Sequence, residues 1–174
     1  TSPYCYGFDL KDLAIKRDPR LKEIAFLRDL LIKVSEALEH MHTSDIYHRD
    51  IKPENIIVDE KGNIKLIDFE TAIKKKSKNA RPRSTTIGSA TERYASPEIC
   101  LEKYKNPEAK YSSRSYDLIG QDLWQLGSTF CDLMTNEDPK DIFTEDMSKD
   151  DKVKLILEKT TKRESGLGLG YTLE

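Results

Sequence analysis

Between residues 21 and 42 apolar side chains return at alternating steps of three and four: Ile24, Leu27, Leu31, Val34, Leu38 and Met41, with Leu30 and Ala37 widening the stripe. That period predicts an amphipathic helix, with Lys22, Glu23, Arg28, Lys33, Glu36 and Glu39 on its remaining surface. Upstream, Leu10 to Arg17 predicts a short helix that stops before Asp18-Pro19, because the residue ahead of a proline is pushed out of helical backbone. Downstream the pattern shifts to two short apolar runs, Ile56-Ile57-Val58 and Ile64-Lys65-Leu66-Ile67. They flank the turn-rich Asp59-Glu60-Lys61-Gly62-Asn63, which predicts a β-hairpin. Residues 71 to 93 are polar, basic and without period, which reads as a long loop of the functional or mobile kind. A second long helix is predicted over Leu118 to Met134, with Leu123, Leu126, Phe130 and Leu133 on one face. A third starts near Ser148 and includes Val153, Ile156 and Leu157. Residues 164–174, with Gly166, Gly168 and Gly170, are read as a tail without assigned structure, and no internal repeat is present.

Composition narrows the class. The chain has 174 residues, 37% of them hydrophobic and 34% charged, enough for one globular domain with its own core rather than a disordered segment. A formal net charge of −2 supplies no global field for a nucleic acid or a membrane surface. The local exception is Lys74, Lys75, Lys76, Lys78, Arg81 and Arg83, a basic run with no intervening acid and no aromatic side chain on which a base could stack. Cys5, Cys100 and Cys131 are odd in number and lack metal-ligand spacing, so free thiols in a reducing compartment are expected. With no apolar run of bilayer length and no signal-peptide pattern, the expected location is intracellular, in the cytoplasm. The expected partners include neither nucleic acid nor membrane.

The chemistry concentrates between the long helix and the hairpin, in His48-Arg49-Asp50-Ile51-Lys52-Pro53-Glu54-Asn55. This stretch resembles the catalytic loop of the protein kinase family, H-R-D-x-x-x-x-N, with every fixed position filled. Asp68-Phe69-Glu70 stands where the family has D-F-G, thirteen residues beyond Asn55, the family's usual spacing. Ala90-Thr91-Glu92-Arg93-Tyr94-Ala95-Ser96-Pro97-Glu98 is similar to G-T-x-x-Y-x-A-P-E, and Asp122-Leu123-Trp124-Gln125-Leu126-Gly127 to D-x-W-x-x-G. Any one of these has an ordinary explanation as a surface turn, strand end or solvated helix acid. Four in the family's order do not.

The resemblance implies roles. Asp50 would accept or orient the proton of a substrate hydroxyl, and Lys52, typical of kinases acting on Ser and Thr, would steady the transferring charge. Asn55 and Asp68 would offer oxygen ligands to Mg²⁺ brought with ATP. Thr91 would hydrogen-bond to Asp50 and Lys52. Phe69 would pack under His48, a core histidine rather than a base, and Asp122 would anchor the backbone of His48 and Arg49. Residues 4–10 resemble the hinge between lobes, where Asp9 would bond the ATP ribose or be a plain exposed acid. Ser84, Thr85 and Thr86 are candidate phosphosites whose phosphate would pair with Arg49, the alternative for this loop being a solvated charge run.

The fold so implied is mainly α with small β-hairpins, a kinase C-lobe with the N-lobe absent, over residues 1–163. The family's Gly-rich loop, strand Lys and helix Glu are not in the sequence, so this piece by itself is expected to be inactive and less stable. Glu98 is expected to lack its usual Arg partner. Glu70 replaces a conformationally permissive Gly and is expected to restrict that segment and add negative charge near the metal. Residues 103–116 read as a solvent-exposed insertion. The function implied is a protein serine/threonine kinase. A kinase-shaped binding or scaffolding module without turnover is the alternative, and a product that does not fold alone is a third possibility.

Overall fold

The computed structural model describes residues 7–75, 85–86, 91, 93–105, 111–112, 117–135, 148 and 151. In chain order the elements are strand β1 (Phe8–Asp9), helix α1 (Leu10–Ile15), a 3-10 turn (Pro19–Lys22) and helix α2 (Ile24–Thr43). Strand β2 (Ile46–Tyr47), a second 3-10 turn (Pro53–Asn55), and strands β3 (Ile56–Val58), β4 (Ile64–Leu66), β5 (Ile73–Lys74) and β6 (Thr85–Thr86) follow. Helix α3 (Pro97–Lys105), strand β7 (Tyr111–Ser112) and helix α4 (Leu118–Thr135) complete the described elements.

The helices stop where their sequences tell them to. Asp9 caps α1 by accepting from the backbone N–H of Asp12 at 2.7 Å. The chain leaves α1 and α2 through left-handed residues just past their ends, Arg17 (φ 53°) and Asp45 (φ 57°). The β3–β4 hairpin pairs Ile56 with Leu66, Ile57 with Lys65 and Val58 with Ile64. Its turn is built on Asp59, whose Oδ1 accepts from the N–H groups of Lys61 (2.9 Å) and Asn63 (2.8 Å). Gly62 takes φ 76° there, and its carbonyl receives Lys33 Nζ at 2.7 Å, tying the hairpin to α2. The hairpin extends to three strands because β1 pairs with the other edge of β3. Gly7 (φ 143°) allows that approach, since a Cβ there would lie 2.6 Å from the Val58 carbonyl oxygen.

The core joins both long helices to the hairpin: Leu27, Leu30, Val34, Leu38 and Met41 of α2 meet Leu126, Phe130 and Leu133 of α4, with Leu10, Ile51, Ile56 and Val58. The described segments carry helices and small antiparallel sheets in the expected order, with corrections in detail. Leu21 and Lys22 belong to the 3-10 turn, so α2 starts three residues later than its periodicity suggests. Ile24 is 83% exposed and Leu31 also faces outward, whereas Leu30 is fully buried. On α4, Leu123 is half exposed while Gln121, Asp122, Gln125, Ser128, Thr129 and Asp132 are buried. Residues 71–93 are not wholly irregular: β5 pairs with β2, and β6 pairs with β7. Residues 103–105 belong to α3 rather than to an insertion. The tail 164–174, Cys5 and all of the third predicted helix beyond Ser148 and Asp151 lie outside the described residues. Cys100 and Cys131 are free thiols, and no helix among the described residues is long and apolar enough to cross a membrane.

The rotation of the α2 stripe has a measurable consequence. Leu30→Ala is expected to destabilise the protein by about 2–5 kcal/mol, the cost of a buried cavity, and Ile24→Ala by about 0.5 kcal/mol or less. Equilibrium denaturation of the two variants checks this.

Candidate functional site

The loop that follows β2 is held from beneath by α4. The carboxylate of Asp122, fully buried, accepts from the backbone N–H of His48 at 3.0 Å and of Arg49 at 2.7 Å. His42 Nε2, on the last turn of α2, donates to the same carboxylate at 2.8 Å. One turn along α4, the Gln125 side chain accepts from Ile51 N–H and donates to the Arg49 carbonyl, both at 2.9 Å. These bonds hold Arg49 at φ 72°, a left-handed conformation unfavourable for such a residue by about 1–3 kcal/mol. Hydrogen bonds to a buried carboxylate, at about 1.5–3 kcal/mol each, are of the size needed to offset it.

Asp50 sits at the centre of the next shell of contacts. Its Oδ2 lies 2.7 Å from Lys52 Nζ, with both side chains largely buried. Its Oδ1 accepts from both the N–H (3.1 Å) and the hydroxyl (3.0 Å) of Thr91. That hydroxyl in turn accepts from Lys52 Nζ at 3.0 Å, so Thr91 bridges the acid and the base. Asn55 Nδ2 donates to the Asp50 carbonyl at 2.8 Å and to Oδ2 at 3.3 Å. A desolvated carboxylate is costly unless paired and hydrogen-bonded, and Asp50 has both compensations.

The hairpin delivers Asp68 beside this cluster. Ile67 N–H donates to the Asn55 carbonyl at 3.0 Å, continuing the β3–β4 ladder up to Asp68. Asp68 itself has φ 62° and is exposed; the bond its carboxylate accepts from Glu70 N–H, at 3.5 Å, is at the weak limit. The left-handed backbone in this segment lies at Asp68 and not at Glu70, and Asp tolerates it better than most residues. His48 is fully buried, its ring centroid 5.0 Å from that of Phe69, and Nε2 donates to the Ile67 carbonyl at 3.0 Å. Thr71 closes the segment by donating to the His48 carbonyl at 2.9 Å, while Arg49 Nη1 donates to the Thr71 carbonyl at 3.2 Å.

Asn55 spends its amide nitrogen on Asp50, which turns the amide oxygen away from it. That oxygen and the exposed Asp68 carboxylate are hard donors of the kind Mg²⁺ takes. Among the described residues no three His, Cys, Asp or Glu side chains gather as a metal site. Two oxygen donors suit an ion that brings most of its other ligands as water and phosphate, as Mg²⁺ does.

The remaining candidates are less central. Asp9 caps α1 and lies partly buried at the β1 edge of the sheet. Glu98, in the first turn of α3, is exposed and makes no ion pair among the described residues. Thr85 and Thr86 form β6, and Ser84 lies outside the described residues. Sequence reasoning missed Gln125, His42 and Thr71, and also Arg93, whose Nε reaches Asp132 on α4 at 2.9 Å. Only Gln125 had a readable signal, being three residues from Asp122 and hence on its face of the helix.

A loop carrying Asp50, Lys52 and Asn55, backed by a helix through Asp122 and flanked by a hairpin ending at Asp68, defines the protein-kinase class of fold. A family profile described as the protein kinase domain matches residues 2–166, and the chain belongs to that family. It is 36% identical to serine/threonine-protein kinase KSP1 of Saccharomyces cerevisiae over 137 residues, 78% of this chain and 12% of that protein. It is 34% identical to CBL-interacting protein kinase 21 of Oryza sativa over 66% of this chain and 19% of the relative. For maternal embryonic leucine zipper kinase of Xenopus laevis the figures are 34%, 79% and 19%. The chain thus spans 12 to 19% of the length of these relatives.

Burial depresses the His48 imidazole below its ordinary value of 6.5, outweighing the bond to Ile67 and the carboxylates of Asp122, Asp50 and Asp68 that act the other way. A depressed histidine leaves stability intact above 6.5 and removes it as pH falls from there toward the folded value, because only the unfolded chain takes up the proton. Stability is therefore expected to decline below pH 6.5, less steeply in His48→Leu, and an imidazole NMR titration should place the His48 midpoint under 6.5.

Proposed function

We propose that the protein transfers the γ-phosphoryl group of ATP to a serine or threonine hydroxyl of a protein substrate. The observation that carries this reading is the Thr91 bridge between Asp50 and Lys52, which presents an acid and a counter-charge side by side. Asp50 takes the hydroxyl proton as the hydroxyl oxygen bonds to the γ-phosphorus and the bond to the ADP oxygen breaks. Lys52 neutralises charge on the moving phosphoryl oxygens. Asn55, through its amide oxygen, and Asp68 would hold Mg²⁺, which would offset negative charge on the phosphates. Asp9 offers the carboxylate oxygen not used in its cap to a ribose hydroxyl. His48, Arg49, Phe69 and Asp122 form the frame.

Phosphorylation of Ser84, Thr85 or Thr86 belongs to the same reading as a means of ordering the loop. Arg49 is buried and already donates to Thr71, so a phosphate would have to enter beside it. ATP and a protein are the partners, and the cytoplasm is the expected site of action.

In the full-length protein, Asp50→Asn is expected to lower kcat by about 10²–10⁴-fold while Mg-ATP binding persists. Thr91→Ala should lower it by about 10- to 100-fold, the equivalent of one hydrogen bond to a charged group, and Thr91→Ser should recover most of the loss. Phosphate transfer to a generic basic protein reads both. Activity that survives Asp50→Asn would overturn the assigned roles. A wild-type protein that binds Mg-ATP and never turns over would establish the binding-module alternative, for which Glu70 is the motive.

A further inference from the structure

We infer that Gln125 is a positioning residue for Asp50, a role that rests on the reading of Asp50 given above. Its side chain is fully buried on α4. Oε1 accepts from the N–H of Ile51 and Nε2 donates to the C=O of Arg49, each at 2.9 Å. Those two groups belong to the peptide units on either side of Asp50. Fixing the plane of the 49–50 peptide and the plane of the 50–51 peptide fixes both backbone torsions of the residue between them. It thereby sets the direction in which the Asp50 carboxylate leaves the chain. Asp122 holds the loop one and two residues earlier and does not reach the 50–51 peptide. The strained Arg49 immediately before Asp50 gives the loop a reason to relax without this hold.

A buried glutamine could simply be a satisfied core residue. Its neighbours argue otherwise. Among the described residues, Gln121 Oε1 and Thr129 Oγ1 on the same helix are buried without a hydrogen-bond partner. Burial on α4 therefore does not by itself bring partners, whereas Gln125 spends both ends of its amide on the peptides around one residue. Ionised Glu would set a carboxylate oxygen against the Arg49 carbonyl, and Leu would leave Ile51 N–H and Arg49 C=O buried and unpaired.

The test uses the full-length protein with Gln125→Leu and Gln125→Glu. Gln125→Leu is expected to lower kcat about 10- to 100-fold, the scale of a small misplacement of a reacting group, with KM for ATP nearly unchanged. Gln125→Glu should regain activity relative to wild type as the pH is lowered, because a protonated carboxyl can again accept and donate. Amide hydrogen exchange at Ile51 should speed up in Gln125→Leu while α2 amides stay protected, a readout that holds whether or not phosphate is transferred. Loss of thermal stability with unchanged kcat and unchanged Ile51 exchange would reduce Gln125 to core filling and overturn the inference. If wild type shows no transfer, the proposed reaction fails, and Ile51 exchange still decides whether Gln125 holds the loop. Should Gln125→Leu not fold, the pH response of Gln125→Glu and its Ile51 exchange decide in its place.

Discussion

A single buried carboxylate organises the site. Asp122 has no contact with solvent, and the hydrogen bonds it accepts come from the first two peptides of the loop and from the last turn of α2. A charge in that position is tolerated only because donors surround it, and their geometry dictates where the loop must pass. The helix, the loop and the preceding helix are thereby locked to one point. If Asp122 lost its partners, Arg49 would have little reason to stay left-handed and Asp50 little reason to face Lys52 and Thr91.

The same constraint explains why α4 is amphipathic in an unusual sense. Its apolar side, Leu126, Phe130 and Leu133, packs into the core with α2. A second buried strip is polar, and within it Asp122 and Gln125 bond backbone groups of residues 48–51, an irregular stretch inside a folded domain. The hairpin works from the other direction. Its ladder ends at the bond from Ile67 N–H to the Asn55 carbonyl, which leaves Asn55 and the start of Asp68 at the same open end of the hairpin. Asp50 and Asp68 thus depend on two frames of different kinds, side-chain bonds from a helix and backbone bonds from a hairpin.

What could be read from the sequence follows from how local each interaction is. Hairpin pairing was legible because turn and strands are contiguous and Asp59 builds the turn with its own neighbours. The loop residues His48 to Asn55 were legible by their fixed spacing. The pairing of β1 with β3 and of β2 with β5 was not, because two-residue strands carry no periodicity and their partners lie far along the chain. Leu30-Leu31-Ile32 offers three adjacent apolar residues, and the 3.6 period alone does not choose the buried one; contact with α4 does. Polarity is normally an outward signal, and at Gln125 a neighbouring loop whose backbone groups lack ladder partners reverses it. Thr71 gave no sign at all, since its part is to bond a carbonyl more than twenty residues away.

The central proposal is that Asp50, Asn55 and Asp68 serve one magnesium-bound nucleotide, Asn55 and Asp68 at the metal and Asp50 at the terminal phosphate, because these two frames converge. A crystal structure of the full-length protein with Mg²⁺ and a non-hydrolysable ATP analogue measures it directly. The account predicts a metal bound by the Asn55 amide oxygen and the Asp68 carboxylate, with Asp50 still joined to Lys52 and Thr91 and facing the terminal phosphate. A metal held elsewhere, or Asp68 turned away from Asn55 in the bound state, would contradict it.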